Sequence, residues 1–248
     1  MLLPTYNEAL SIAPVVSRLR ASVPEADILV IDDNSPDGTG DLADQLAAAD
    51  KAVHVLHRTA KDGLGRAYLA GFAWAGERGY DAVVEIDADG SHLPEQLPAL
   101  LAAAERADVV IGSRWVAGGS VQNWPAHRKM LSLGGNLYAR LTLHISIRDA
   151  TAGFRVYRMS ALRKMGLANV SSQGYCFQVD LTLRAVDNNL LVVEVPIDFV
   201  EREVGESKMG GDIVREALLR VTVWGTQRRF DQLRQWIGGR ERWHQLSQ

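Results

Sequence analysis

The chain has 248 residues, 47% of them hydrophobic and 23% charged, with a net charge of -3. That balance excludes a disordered chain and a generally basic nucleic-acid binder. A single cysteine, Cys176, excludes an internal disulfide framework and fits a reducing compartment. No run of about 18 apolar residues is present, and Met1-Leu2-Leu3-Pro4 has no basic segment or apolar leader core, so neither a membrane span nor a signal peptide is expected.

Met1-Leu2-Leu3 reads as the stub of a first strand, short for its place: either the chain begins earlier or this strand is abbreviated. Ala9–Ser22 follows with helical spacing at Leu10, Ala13, Val16 and Leu19. Uninterrupted apolar runs at Ile28–Ile31, Val53–Leu56, Ala82–Ile86 and Val109–Ile111 predict strands covered on both faces. Thr39–Ala49, Gly65–Arg78 and Pro94–Arg106 predict the helices between them. This alternation implies right-handed crossovers and an α/β, Rossmann-like, mostly parallel sheet flanked by helices. After Trp115 the rhythm changes. Val116–Pro125 reads as a loop, 128–143 as a helix, Phe154–Tyr157 as a short strand, Tyr175–Asp187 as a helix and Leu191–Val200 as one long strand. Val204–Asp212 is Gly-rich, and helical period resumes from Ile213 to about Ile237. With no repeat and no linker, the expectation is one domain, 1–212, with an amphipathic helical extension, 213–248.

Ligands of parallel sheets bind beyond the carboxyl ends of the strands. Two such ends carry paired carboxylates, Asp32-Asp33-Asn34-Ser35 and Asp87-Ala88-Asp89-Gly90. Either pair alone suits a turn. Together they suit a hard divalent ion that shares its coordination with substrate phosphates. A rival reading is the nucleophile motif of haloacid-dehalogenase-type phosphatases, with Asp87 attacking phosphorus. Against it, the motif lies a third of the way along the chain, and the Asp-Asp pair is upstream. Gly63-Leu64-Gly65 lacks the third glycine of a dinucleotide fingerprint, and no Walker-type loop exists. The six histidines lack metal-site spacing and read as surface or core, although His92 lies near the acidic cluster.

Pro4-Thr5-Tyr6-Asn7-Glu8, Asp32–Thr39, Asp87–His92 and Gly112-Ser113-Arg114 together resemble family-2 glycosyltransferases of the GT-A fold. Asp149–Arg155, Gly174–Gln178 and Glu201–Met209 narrow the resemblance to polyprenol- and dolichol-phosphate mannose synthases. Asn123-Trp124-Pro125 and His57–Lys61 are most similar to the actinobacterial ones. The resemblance implies inverting transfer of mannose from GDP-mannose to a membrane polyprenyl phosphate, with Mg2+ or Mn2+ as cofactor. It implies a nucleoside pocket of Pro4, Tyr6, Glu8, Ile31 and Asp33, with Asp87, Ala88, Asp89 and Gly90 at the ribose, diphosphate and metal. The implied metal set is Asp87, Asp89 and Ser91. Ser91 is shorter than the Gln of some relatives, so water or His92 stands as a substitute. Arg114, Arg202 and Lys208 are implied at the donor phosphates, Arg114 and Arg128 at the acceptor phosphate. Asp87, Asp89, Arg114, Arg202 and Lys208 are the expected catalytic set.

Each has a structural counterpart: Glu8 as a helix-start carboxylate, Tyr6 as packing, Arg114 as a solvated arginine, Arg202 and Lys208 as surface pairs with Glu201, Glu203 and Glu206. A phosphate acceptor is already anionic, so no general base is needed, and Asp180 of Gln178-Val179-Asp180 reads as structural. Three alternatives remain: a UDP-sugar donor with glucosyl transfer, the phosphatase, and an inactive nucleotide-binding module. From Ile213 to Gln248 there are seven arginines, three acids and three tryptophans. They fit an interfacial helix or a helix that packs Val221, Trp224, Leu233 and Trp236 onto the domain. The expected location is cytoplasmic, peripheral at the inner face of the cell membrane, with a membrane-protein partner or anchor as a further option. The loop Trp115–Pro125 either closes over the site or touches lipid.

Overall fold

The computed structural model describes residues 1–170, 175–201 and 215–230. Seven strands form one sheet in the order β3-β2-β1-β4-β7-β5-β8. They are β1 (Leu2–Thr5), β2 (Ile28–Asp32), β3 (Val53–His57), β4 (Ala82–Glu85), β5 (Val109–Ser113), β7 (Arg155–Arg158) and β8 (Val192–Pro196). All pairings are parallel except those of β7, which runs antiparallel between β4 and β5. β1 pairs with β2 through four residues and with β4 through Leu2↔Glu85.

The central strands are apolar throughout because both faces are covered. Along β1 and β2, Leu3, Ile28 and Val30 pack on one side while Leu2, Leu29 and Ile31 pack on the other, the period of two expected of a strand. The first side is closed by α1 (Ile12–Ser22), α2 (Thr39–Ala49) and α4 (Leu97–Ala104). The second is closed by α3 (Leu64–Glu77), α5 (Ala126–Leu143), α6 (Met159–Met165) and α7 (Tyr175–Asp187). Close approach of α3 to the sheet depends on Gly71, where a Cβ would stand 2.8 Å from Ile31 Cδ1 and 2.9 Å from Leu2 Cδ1.

Some expectations change. α1 begins at Ile12 rather than Ala9, and the N–H groups of Glu8 and Ala9 in the turn before it bond to Thr39 and Asp37. Pro94–Gln96 is a 3-10 turn before α4, and α6 lies where no helix was predicted. The long strand Leu191–Val200 is two: β8 ends at Pro196, and β9 (Asp198–Val200) joins another sheet with β6 (Ser120–Gln122). Proline has no N–H to continue a ladder. β6 also divides the expected loop Val116–Pro125.

A last helix, α8 (215–230), lies in the predicted extension. It buries Val221 and packs Trp224 against the main core, and Thr222 bonds Tyr138 Oη of α5 at 2.6 Å. Leu233, Trp236 and the Gly-rich stretch Val204–Asp212 lie outside the described residues.

Candidate functional site

The carboxyl ends of β1, β2 and β4 converge on one edge of the sheet, as their parallel register requires. The turns after β1 and β2 are stitched together. Ser35 Oγ, Thr39 Oγ1 and Asp37 Oδ2 accept the N–H groups of Asn7, Glu8 and Ala9 at 3.1, 2.9 and 3.1 Å. Asn7 and Asn34 both take positive φ, which asparagine tolerates.

The two aspartates at the end of β2 divide the work. Asp32 makes the turn, accepting from Thr5 Oγ1, Ser35 Oγ and Ser35 N–H. Asp33 pairs with Arg58, which follows β3. Burial pushes the Asp33 carboxyl above its usual value, against the pull of Arg58. Lys61 Nζ stands 3.9 Å from the centre of the Tyr6 ring. Tyr6, Glu8 and Asp33 therefore lie on neighbouring turns past the ends of β1 and β2, while Pro4 pairs in register with Ile31 within the sheet. Glu8 also accepts from Ser11 Oγ at 2.9 Å, which gives it the helix-start part as well. Ile31 differs from expectation: its side chain is fully buried against Gly71, so it is core rather than pocket wall. Arg58 and Lys61 join these turns through Asp33 and Tyr6, although sequence reasoning gave them no role. Their signal was their place just past a strand end.

Asp87 and Asp89 flank buried Ala88 on the turn after β4, which closes through Gly90 at φ 77°. Asp89 Oδ1 accepts the Ser91 N–H at 3.0 Å. Ser91 is buried, and its carbonyl accepts the Val200 N–H at 3.1 Å. His92 lies buried between Phe154 and Phe199, with Nδ1 3.4 Å from the Asp87 N and 3.6 Å from its carboxylate. Burial lowers its pKa to about 4, so this is a neutral core histidine. Gly153 completes the wall, since a Cβ there would stand 3.5 Å from Asp87 Oδ2. Among the described residues no group of three His, Cys, Asp or Glu side chains gathers to cage a metal. Two partly exposed carboxylates do fit a hard ion that takes its remaining oxygens from water and a diphosphate.

Arg114 is not the solvated arginine of the plain reading. It is 7% exposed, and its Nε and Nη2 donate to Asp149 at 2.8 and 2.7 Å. The Arg114 backbone N–H donates to the same carboxylate at 2.9 Å, and Thr151 Oγ1 accepts a further bond. Burial alone would raise the Asp149 carboxyl, but Arg114 holds it below its usual value. The Asp149 turn is fixed from beneath by Arg155, fully buried, whose guanidinium donates to the carbonyls of Ala150, Ala152 and Gln178. Neither Asp149 nor Arg155 was assigned a part from sequence. Arg128 pairs with Glu201 and lies 4.3 Å from the Trp124 ring centre. Trp124 packs edge-on to Phe199, which packs on His92, so aromatic rings connect the two arginine sites to the acidic turn. A cleft of about 300 Å³ opens here, lined by Arg114, Trp115, Ser120, Lys129 and Leu133 among others. Asp180 is buried and paired with Arg184 at 2.7 Å, one turn along α7. Arg202 and Lys208 lie outside the described residues.

Residues 1–166 match the family model described as glycosyl transferase family 2. The chain belongs to glycosyl transferase family 2. This glycosyltransferase is 58% identical over 237 residues to an undecaprenyl-phosphate mannosyltransferase of Micrococcus luteus, covering 96% of this chain and 98% of the relative. It is 54% identical over 236 residues to a polyprenol monophosphomannose synthase of Mycolicibacterium smegmatis, covering 94% and 89%. A glucosyl-3-phosphoglycerate synthase of Mycobacterium tuberculosis, solved with Mn2+, UDP-glucose and phosphoglyceric acid, superposes with TM-score 0.66 at 18% identity, covering 89% of this chain and 78% of that one. That likeness supports the expected GT-A architecture.

Proposed function

We propose that this glycosyltransferase moves mannose from GDP-mannose to a polyprenyl phosphate, inverting the anomeric carbon, at the inner face of the cell membrane. The observation that carries the reading is identity above half over nearly the full length of two enzymes named for polyprenyl-phosphate mannosyl transfer.

Asp87 and Asp89 would hold Mg2+ or Mn2+, and that ion, when bound, supplies Lewis-acid stabilisation of the departing diphosphate. Mn2+ accompanies UDP in the fold neighbour, which supports a divalent ion in general. Tyr6, Lys61 and Asp33 bracket the nucleoside, Tyr6 giving a ring face and Asp33 an acceptor. Arg114 is held in one orientation by Asp149, so its cationic edge costs no reorganisation when charge develops nearby. Arg128 on the Trp124 face serves the acceptor phosphate, with Arg202 and Lys208 proposed to complete the donor side. The acceptor arrives as an anion, so the protein positions it rather than deprotonating it. The tie between Asp180 and Arg184 agrees with a reaction that needs no carboxylate base there.

The test is transfer of radiolabelled mannose from GDP-mannose into the organic phase, with polyprenyl phosphate and Mg2+, beside an EDTA control and Asp89→Ala. Label that depends on metal and disappears in Asp89→Ala is expected. Transfer from UDP-glucose in place of GDP-mannose would overturn the donor assignment.

A further inference from the structure

One carboxylate interrupts the apolar strand β8. Val192, Val193 and Val195 pack on the core, and Glu194 stands among them. Val193 and Val195 pack on the side of α1, α2 and α4, so alternation turns Glu194, with Val192, to the side of α5 and α7. A carboxylate in that place gives up hydration and needs donors in return. Glu194 finds two, and both are backbone. Its Oε2 accepts the Arg148 N–H at 2.8 Å, and its Oε1 accepts the Asp149 N–H at 2.9 Å. Consecutive N–H groups aimed at one point form an anion-binding concavity, which the two oxygens of a carboxylate match.

The turn that Glu194 grips is the one that carries Asp149. Arg155 donates to the carbonyls of the same turn, at Ala150 and Ala152. An anion on its N–H groups and a cation on its carbonyls thus fix the backbone from two directions. Asn136 of α5 adds a bond to Thr151 Oγ1 at 3.1 Å. The Asp149 side chain, held in this way, receives Nε and Nη2 of Arg114. The path is short because Glu194 pairs in register with Ile111 of β5, and Arg114 lies just past the end of that strand.

We propose that Glu194 is a positioning residue for the transfer reaction: its carboxylate shapes the Arg148–Asp149 turn and, through Asp149, fixes the direction of the Arg114 guanidinium. The inference rests on the mannosyl-transfer reading only for what Arg114 acts upon, and its test separates the two.

The test uses the full chain and Glu194→Gln, which keeps the volume but turns one acceptor into an NH2 that faces an N–H, so the turn must shift. Glu194 is partly exposed, so water solvates the new amide and the melting temperature should stay within about 3 °C of the parent's. With GDP-mannose and polyprenyl phosphate, kcat should fall by about tenfold to a hundredfold, the effect of misplacing a reacting group by ~1 Å. KM for GDP-mannose should stay within about twofold, as for a contact made in the transition state. In an Arg114→Lys background the same change should lower kcat by less than about twofold, because the group it positions is gone. Asp108→Asn is the control: it takes a carboxylate from the Leu191 N–H at the other end of β8 and should keep the parent's kcat. A readout without substrate is the Arg114 Nε–H signal in protein made with isotope-labelled arginine, assigned by its absence in Arg114→Lys. Its exchange with water should quicken about tenfold or more in Glu194→Gln and hold the parent's rate in Asp108→Asn. A Glu194→Gln protein with the parent's exchange rate overturns the proposal, whatever its activity. Losses that multiply in the double variant, or an equal loss in Asp108→Asn, overturn it too, since Glu194 then acts elsewhere or only supports the strand. A parent that transfers no mannose removes the function reading, and the exchange rates then decide the proposal alone.

Discussion

Replacing Asp149 by Asn tests whether the buried pair with Arg114 organises the site. Asp149 is fully buried and receives three N–H groups of Arg114, two from the guanidinium and one from the backbone. Asparagine keeps the shape and one acceptor oxygen but leaves the guanidinium charge uncompensated at 7% exposure. Removing one partner of a buried pair costs about 3–5 kcal/mol, and the conserved shape places this change near the lower end, about 3 kcal/mol. A chain of this length loses about 2–4 °C of Tm per kcal/mol, so a fall of about 6–12 °C follows. The assay is a thermal melt in EDTA, without nucleotide. The companion is Arg114→Leu/Asp149→Leu, which removes both charges and should recover more than half of the lost stability. An Asp149→Asn protein that melts within about 2 °C of the parent would refute the reasoning. A double variant less stable than the single would do the same.

The same carboxyl sets an acid limit. Its folded pKa lies below the usual value, so its contribution is fully present above the unfolded pKa of about 3.9 and is lost as pH falls through the folded one. Urea midpoints of the parent should drop below about pH 4 more steeply than those of the Arg114→Leu/Asp149→Leu protein. Gly71→Ala should cost about 1–3 kcal/mol by overpacking Ile31 and Leu2, read from the urea midpoint, and an unchanged midpoint would contradict the close approach of α3. Burial, then the nearby Glu216 carboxylate, pushes the Cys176 thiol up to about 11. A thiol reagent at neutral pH should leave the native protein unlabelled over minutes and label it fully in guanidinium; rapid native labelling would place Cys176 at the surface.

The parallel strands were legible because strands covered on both faces must be apolar throughout, and Ile28–Ile31 and Val109–Ile111 are. The direction of β7 was not, because Arg155–Arg158 reads the same whether its neighbours run with it or against it. The acidic turns stood out because two strand ends each carry a pair of carboxylates, although either pair alone suits a turn. The partner of Arg114 was missed for a different reason: it lies 35 residues away, and only the fold brings that carboxylate under the guanidinium. Ile31 shows the converse error. A residue beside a site in sequence points to the opposite face of its strand, and alternation sends it into the core. The extension was expected to pack on the domain or to lie at the membrane surface; α8 packs Val221 and Trp224 on the core and leaves Leu219 and Val223 exposed.

The insertion of β7 between β4 and β5 bears on how the protein is made. When a ribosome has delivered the chain through Ser113, β4 and β5 are both present, but neither has its central neighbour. β7 arrives later, and its Arg155 guanidinium finds the Gln178 carbonyl and Thr182 hydroxyl only when α7 has emerged. At about 5–20 residues per second, the interval from Ser113 to Asp187 lasts about 4–15 s. Through that time two apolar strands keep unpaired edges, the kind that other chains can join. Nascent chains of this protein should therefore depend on chaperones most in that window, and a codon change that slows synthesis between β5 and α7 lengthens the exposure.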